Sequence, residues 1–369
     1  MIKDRIQKEK VLEFAVAKRW FPFPEVAVTT LEPVAGKIHP ITDIDVMISV
    51  PDDLSGYRTL LVDCKTKRKE SSIGRALWLR GLMEYIGADR GLCILRSGSS
   101  IAQNHRYSAS RLRVTLISEN ELAGFFGALK TPISQTNSLV AKMENWESFY
   151  GIVKTKPILS KGIDYIRSSY WMIPSSAEAC RKTIGVAREL HGEFNPEDLE
   201  HRAVVTVLAS LFLHSLARVV NSLFVDHLKP VDADYLSRAL LTMLYGNQGT
   251  YDLLNKLRQS IIKTNVSLQD KGELALPEWS RFMELVRQML DSPLDASRAP
   301  LFLIELAFMT LSNSASISFL QRLYSEFPQA AKFALLGAEY LCKAASLPKE
   351  MIDLITNPLI QIQDPKCAT

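Results

Sequence analysis

Two strand-length segments whose charges run in step with their pleat constrain this chain most. In residues 41–50, ITDIDVMISV, Ile44, Val46, Ile48 and Val50 fall on one face of an extended chain, with Asp43, Asp45 and Met47 on the other. A polar turn over 51–56 leads into residues 58–65, RTLLVDCK, which place Leu61, Asp63 and Lys65 on one face and Leu60, Val62 and Cys64 behind. The pair reads as a hairpin carrying acids and a base on one side of an apolar sheet. Unpaired charges in such a place cost several kcal/mol, so the group needs a compensating partner, and a bound divalent cation is one.

The flanking residues fit an α/β unit. Residues 2–20 have Ile6, Val11, Leu12, Ala15 and Val16 at helical spacing, and Phe21-Pro22-Phe23-Pro24 ends the pattern. Glu13 sits among those apolar positions with Glu9 one turn behind, so either is a candidate helical acid. Residues 26–29 predict a short strand. After the hairpin come a basic run at 65–69 and a helix over 73–86 that Ser71 or Ser72 would cap. A buried strand at 92–95, a polar loop over 96–110 and a strand at 113–117 follow, and Ser118 with Glu121 forms a capping box for a closing helix. A mixed sheet flanked by helices is expected over 1–130. Beyond 131, strand alternation gives way to helical periodicity with no fixed repeat, which predicts an all-α domain over 131–369 and a frayed tail over 361–369.

Charge is asymmetric. Residues 1–130 hold 20 Lys plus Arg against 15 Asp plus Glu, and the remainder 24 against 25. This suits a polyanionic partner for the first domain. The five cysteines have no paired spacing, which argues against a disulfide framework or a cysteine zinc site. The first residues lack the apolar core of a signal peptide, and the run around 204–216 is too short and interrupted for a membrane span, so a cytoplasmic location without membrane contact is expected. No Walker A loop, Gly-x-Ser-x-Gly elbow or His-Glu-x-x-His motif occurs. Arg202 and Arg218, beside apolar helix faces, read as snorkelling or salt-bridged.

Taken together, a helical acid, Thr42-Asp43-Ile44-Asp45-Val46-Met47 and Leu61-Val62-Asp63-Cys64-Lys65, with a helix and a buried strand after them, resemble the PD-(D/E)XK nuclease superfamily over roughly residues 5–125. The resemblance implies a restriction-endonuclease-like fold for the N-terminal domain. It further implies that Asp45, Asp63 and Glu13 ligate Mg²⁺ or Mn²⁺, that the Cys64 carbonyl adds a ligand, and that Lys65 orients or activates the attacking water. Asp45 is preferred over Asp43 because Val46 and Met47 continue the strand after it. The family's proline-containing motif is not literal, since Pro40 precedes Ile41 rather than adjoining Asp45. The cation's chemistry supports the same grouping: it neutralises phosphoryl oxygens and lowers the pKa of a bound water.

Lys67, Arg68 and Lys69, with Arg75 on the next helix, are candidate contacts to a phosphate backbone, and Trp78 is expected to pack rather than stack on a base. The expected function is a Mg²⁺-dependent endonuclease acting on DNA, compatible with a prokaryotic antiviral-defence or DNA-processing complex, whose helical domain recruits a protein partner or positions substrate; two sites paired in a homodimer or a larger complex are compatible with cutting both strands. The competing expectation is a non-catalytic module that binds nucleic acid or protein.

Overall fold

The computed structural model describes residues 3–54, 56–65, 71–98, 100–129, 137–230, 232–264 and 273–363. Helix α1 (Arg5–Ala17) buries Val11, Leu12, Ala15 and Val16, and its chain then enters a five-stranded sheet in the order β1-β2-β3-β4-β5. β1 (Phe21–Thr29), β2 (Pro40–Asp52) and β3 (Gly56–Lys65) are antiparallel neighbours; β4 (Arg90–Leu95) and β5 (Val114–Ser118) are added in parallel. The parallel additions need crossovers, supplied by α2 (Ser72–Ile86) and α3 (Gln103–Arg111). The Ser71 side chain accepts from the Gly74 amide to cap α2, and the Ser118–Glu121 capping box opens a short turn into α4 (Leu122–Ala128).

Two local expectations change. The strand expected over 26–29 is longer: β1 begins at Phe21 and takes in the Phe21-Pro22-Phe23-Pro24 run before which α1 ends. β1 is an edge strand, so prolines without a donor are tolerated there. The polar stretch expected as a loop over 96–110 contains α3, whose few apolar residues bury only Ala109.

The rest is helical. α5 (Met143–Thr155), α6 (Ser160–Arg167) and α7 (Ser176–Glu189) surround α8 (Leu199–His227), with α9 (Ala233–Tyr245) and α10 (Gln248–Thr264) to one side. α11 (Trp279–Leu290), α12 (Pro293–Ala296), α13 (Ala299–Leu311), α14 (Ser318–Glu326), α15 (Pro328–Ala344) and α16 (Lys349–Gln363) complete the chain. Residues 361–363, expected in a frayed tail, close α16; 364–369 and the expected boundary at 130/131 lie outside the described residues.

The Asp198 carboxylate caps the start of α8 by accepting from the Glu200 and His201 amides. The helix is long and apolar enough to cross a membrane by length and composition, with mean hydropathy 1.9, yet 94% of that window is buried inside the protein. Its apolarity on all sides therefore makes it a core helix. The sheet rests on this helix: His214 Nε2 lies 2.8 Å from Ser49 Oγ, and Tyr57 donates to the Ser297 carbonyl beyond it. Gly56 turns the β2–β3 hairpin with φ +73°, where a Cβ would also stand 3.2 Å from Asn221 Cβ on α8, so only glycine meets both demands.

Candidate functional site

The sheet register lines up three carboxylates. Pro24 pairs with Val46 and Val26 with Ile44, which sets Glu25 opposite Asp45; continuing the Val46–Val62 pairing sets Asp45 opposite Asp63. Like charges directly opposite repel, so a bare row of this kind is destabilising. Here the row is interleaved with cations: Glu25 and Asp45 share Lys8, Asp45 and Asp63 share Lys65, and Arg75 holds Asp63 alone.

Asp45 Oδ1 lies 2.8 Å from Lys8 Nζ on α1, and Oδ2 accepts from the Cys64 amide at 2.7 Å. Lys65 Nζ stands between the two central acids, 3.6 Å from Asp45 Oδ2 and 3.2 Å from Asp63 Oδ1. Asp63 is almost fully buried and gripped at both oxygens by Arg75 of α2, with Nε at 3.0 Å from Oδ2 and Nη2 on Oδ1; the Cys93 thiol also donates to Oδ2. Glu25 meets Lys8 from the far side. Its backbone is left-handed, φ +58°, and its carbonyl accepts from Arg167 Nε at 3.1 Å.

The electrostatics follow from this sharing. Burial alone would depress Lys8, but attraction to Asp45 and hydrogen bonds to Asp45 and Glu25 outweigh it and hold the ammonium above the ordinary lysine range. Burial lifts the Glu25 carboxyl, because the single ammonium it leans on is divided with Asp45. Lys65 is likewise held up, its desolvation outweighed by Asp45 and Asp63, so it is a cation at neutral pH. Burial lifts both cysteine thiols beside the row, with Asp45 adding to the effect on Cys64 and Asp63 on Cys93.

Lys8, Glu25, Asp45 and Lys65 open onto a cavity of about 910 Å³ bounded on its other side by Tyr150 of α5 and Arg167 of α6. The Tyr150 hydroxyl donates to the Pro24 carbonyl at 2.7 Å, and the Arg167 guanidinium lies over the Tyr150 ring. Lys3, Arg5 and Lys154 add positive charge at its edge, against Asp4, Asp43 and Glu147. The helical part of the chain thus supplies one wall of the cleft.

Asp45, Asp63 and Lys65, predicted as a group, stand together. Asp43 lies outside the group, exposed and 4.0 Å from Arg167. Cys64 brings its amide to Asp45, and its side chain is buried on the opposite face. Glu13, expected at a metal, does not line the cavity; burial raises its pKa and the neighbouring Glu9 adds to that. Glu9 is spent on Arg5 and on the Met143 amide. Five residues separate Lys8 from Glu13, which at about 100° per residue turns Glu13 some 140° away from the row.

Arg75, expected at a phosphate backbone, is instead the clamp on Asp63 and lies 4.0 Å over the Trp78 ring. Trp78 is partly buried against the core. Lys67, Arg68 and Lys69 lie outside the described residues.

Lys8 and Glu25 escaped the sequence reading, although both leave a trace in it. Lys8 falls four residues before Leu12 on the apolar stripe of α1, an unusual place for an unpaired lysine. Glu25 is the first residue of β1 that is not buried, a single acid between the buried Pro24 and Val26 in an otherwise apolar run.

Among the described residues, no group of three or more His, Cys, Asp and Glu side chains is arranged as a metal site. Two carboxylates are nevertheless a usual protein share for Mg²⁺, which keeps several waters and takes further oxygens from a phosphate substrate. Asp45 opens onto the cavity and can offer that share; Asp63, opposite it and bridged to it by Lys65, does not line the cavity and has both oxygens held by Arg75, so it can join only by giving up part of that clamp. Comparison with protein-family models, with characterised proteins and with solved structures gives no match for this chain.

Proposed function

We propose that this protein is a metal-dependent nuclease that hydrolyses phosphodiester bonds, with DNA as the first substrate to test. The observation that carries the reading is the position of Lys65 Nζ, 3.6 Å from Asp45 and 3.2 Å from Asp63, at the edge of a cleft with Lys8, Arg5, Lys154 and Arg167 around it. The mixed sheet, its flanking α1 and the acids on β2 and β3 support a restriction-endonuclease-like unit. Asp45 and Asp63 would hold Mg²⁺ or Mn²⁺, which when bound supplies charge neutralisation at the phosphoryl oxygens and a more acidic water. Lys65, held protonated by its two acids, is a poor general base; its role is to orient the water and to pair with a non-bridging phosphoryl oxygen. Arg75 keeps Asp63 in one rotamer, and Lys8 does the same for Asp45. Arg5, Lys154 and Arg167 can meet the phosphates on either side of the bond, which positions the backbone without reading bases.

A second reading has its own support. Three carboxylates are already matched by three internal cations, so the cluster has little net charge with which to attract Mg²⁺. That favours a module that binds a polyanion without cutting it.

Incubation of the full chain with supercoiled plasmid and with single-stranded DNA and RNA, in Mg²⁺ or Mn²⁺, separates the two. Cleavage that disappears in Asp45→Asn and Lys65→Ala proteins of unchanged circular dichroism supports the nuclease. Saturable binding without cleavage in either metal, unaffected by Asp45→Asn, assigns the binding module.

A further inference from the structure

The sheet face that carries the acids continues to a second cavity. Along β2, Asp45, Met47 and Ser49 share that face, and along β3 so do Asp63, Leu61 and Thr59. Met47 and Thr59 line a cavity of about 300 Å³ between the sheet and α8, closed on the other side by Tyr170 and Trp171. This volume lies at the small end of those that hold organic ligands. Arg218 of α8 reaches into it.

Arg218 was expected to be salt-bridged or snorkelling. Among the described residues its hydrogen bonds reduce to one, from Nη2 to the neutral Thr59 hydroxyl at 3.3 Å, and its Nε is buried without an acceptor. The ring of Tyr57 lies 5.5 Å from the guanidinium carbon. The titratable rings around it are uncharged: burial, with Arg218 adding to it, holds His214 well below the usual imidazole range, and burial keeps the Tyr57 and Tyr170 hydroxyls protonated. Both His214 nitrogens are already used, by Tyr170 and Ser49. Asp89, on the far side of Thr59, accepts from the Thr59 amide. A half-buried guanidinium among aromatic rings, without a counter-charge, is costly. An anion brought in from outside would remove that cost.

We propose that this cavity binds a small organic anion, a phosphate or carboxylate on an aromatic body, with the anionic group on Arg218 and the body against Met47 and Trp171. The site is separate from the acidic row yet shares its strands, so a bound ligand would press on the same β2 and β3 segments that present Asp45 and Asp63. It does not depend on whether the first site cuts nucleic acid.

Isothermal titration of the full chain with phenyl phosphate, with phenol and inorganic phosphate in parallel, tests this. Single-site binding of phenyl phosphate is expected, tighter than either fragment, and about ten- to a hundred-fold weaker in Arg218→Gln, as for loss of a charged hydrogen bond. It is expected unchanged in Lys65→Ala. Failure of phenyl phosphate to saturate, equal affinity for inorganic phosphate, or loss of binding in Lys65→Ala instead of Arg218→Gln each overturns the proposal. Should Arg218→Gln not fold, peptide mass spectrometry of the wild-type protein treated with phenylglyoxal replaces it: phenyl phosphate must slow modification of Arg218, and no protection counts against the site.

Discussion

Replacing Lys8 by methionine tests the idea that one buried ammonium holds the acidic row together. Methionine keeps the length and apolar stem of lysine, so the change is mainly one of charge. The Lys8 side chain is 3% exposed and that of Asp45 13%, with Nζ 2.8 Å from Oδ1. At the effective dielectric of about 20 that describes such sites, two unit charges at that distance attract by about 6 kcal/mol, part of which is cancelled by the desolvation of both ions. Removing one partner of a buried pair costs about 3–5 kcal/mol, and here two acids, Asp45 and Glu25, lose their shared cation at once. Lys8→Met should therefore lose at least about 3 kcal/mol in urea unfolding at pH 7, a large part of the 5–15 kcal/mol typical of a folded protein. A divalent cation can replace the lost charge. Millimolar Mg²⁺ or Mn²⁺ should raise the unfolding midpoint of Lys8→Met more than that of the wild type, since a ligand stabilises in proportion to how tightly the native state binds it. The pH dependence has a definite sign: Lys8 is held above the ordinary lysine range, so its contribution is complete at neutral pH and fades only as pH rises through that raised value. A loss below about 1 kcal/mol, the range of an exposed ion pair, together with no difference in metal response, would refute the reasoning.

Gly337 on α15 lies against Leu213 of α8, where a new Cβ would stand 2.6 Å from Leu213 Cγ; since Leu213 is fully buried, Gly337→Ala should cost about 1–3 kcal/mol in thermal unfolding despite its gain in helix propensity. Glu305 of α13 accepts from the Ser138 hydroxyl and the Leu139 and Val140 amides, so Glu305→Ala should lose about 3 kcal/mol or more by leaving buried donors unpaired, read as a shift in urea midpoint. Burial raises the Glu305 pKa against those hydrogen bonds, so the native state holds its proton more readily than the unfolded chain; stability should fall as pH rises from the ordinary glutamate range through the raised value, and Glu305→Gln should flatten that slope. Glu13→Gln should leave metal binding and any cleavage within about two-fold of wild type, because Glu13 faces away from the row, and a hundred-fold loss would return it to the site.

The elements of the N-terminal half were legible because strand and helix periodicities are local. The hairpin at 41–65, helix α2 and its serine cap, and the capping box at Ser118 all follow from spacing within a dozen residues. Strand parity put Asp63 with Lys65, since side chains on alternate positions share a face; that Asp45 joins them follows from the register of β2 against β3. The strand expected from residue 26 starts at Phe21 because Pro22 and Pro24 lie on an edge strand, where the missing donor is harmless, and the local pattern does not reveal which strand is an edge.

What tertiary structure decided is which charges meet. Glu25 reaches the site because β1 pairs with β2 in a register that sequence does not display, and Lys8 because α1 packs with one particular face toward the sheet. Arg75 was legible as a base near the site, but its turn onto Asp63 depends on how α2 lies across β3. Arg218 looked like any arginine on an apolar helix until α8 was set beneath the sheet, which surrounded it with neutral rings. Local pattern determines which way a side chain points from its own element. Electrostatic partnership depends on distances of a few ångströms between elements far apart in the chain, and those are set only when the elements pack.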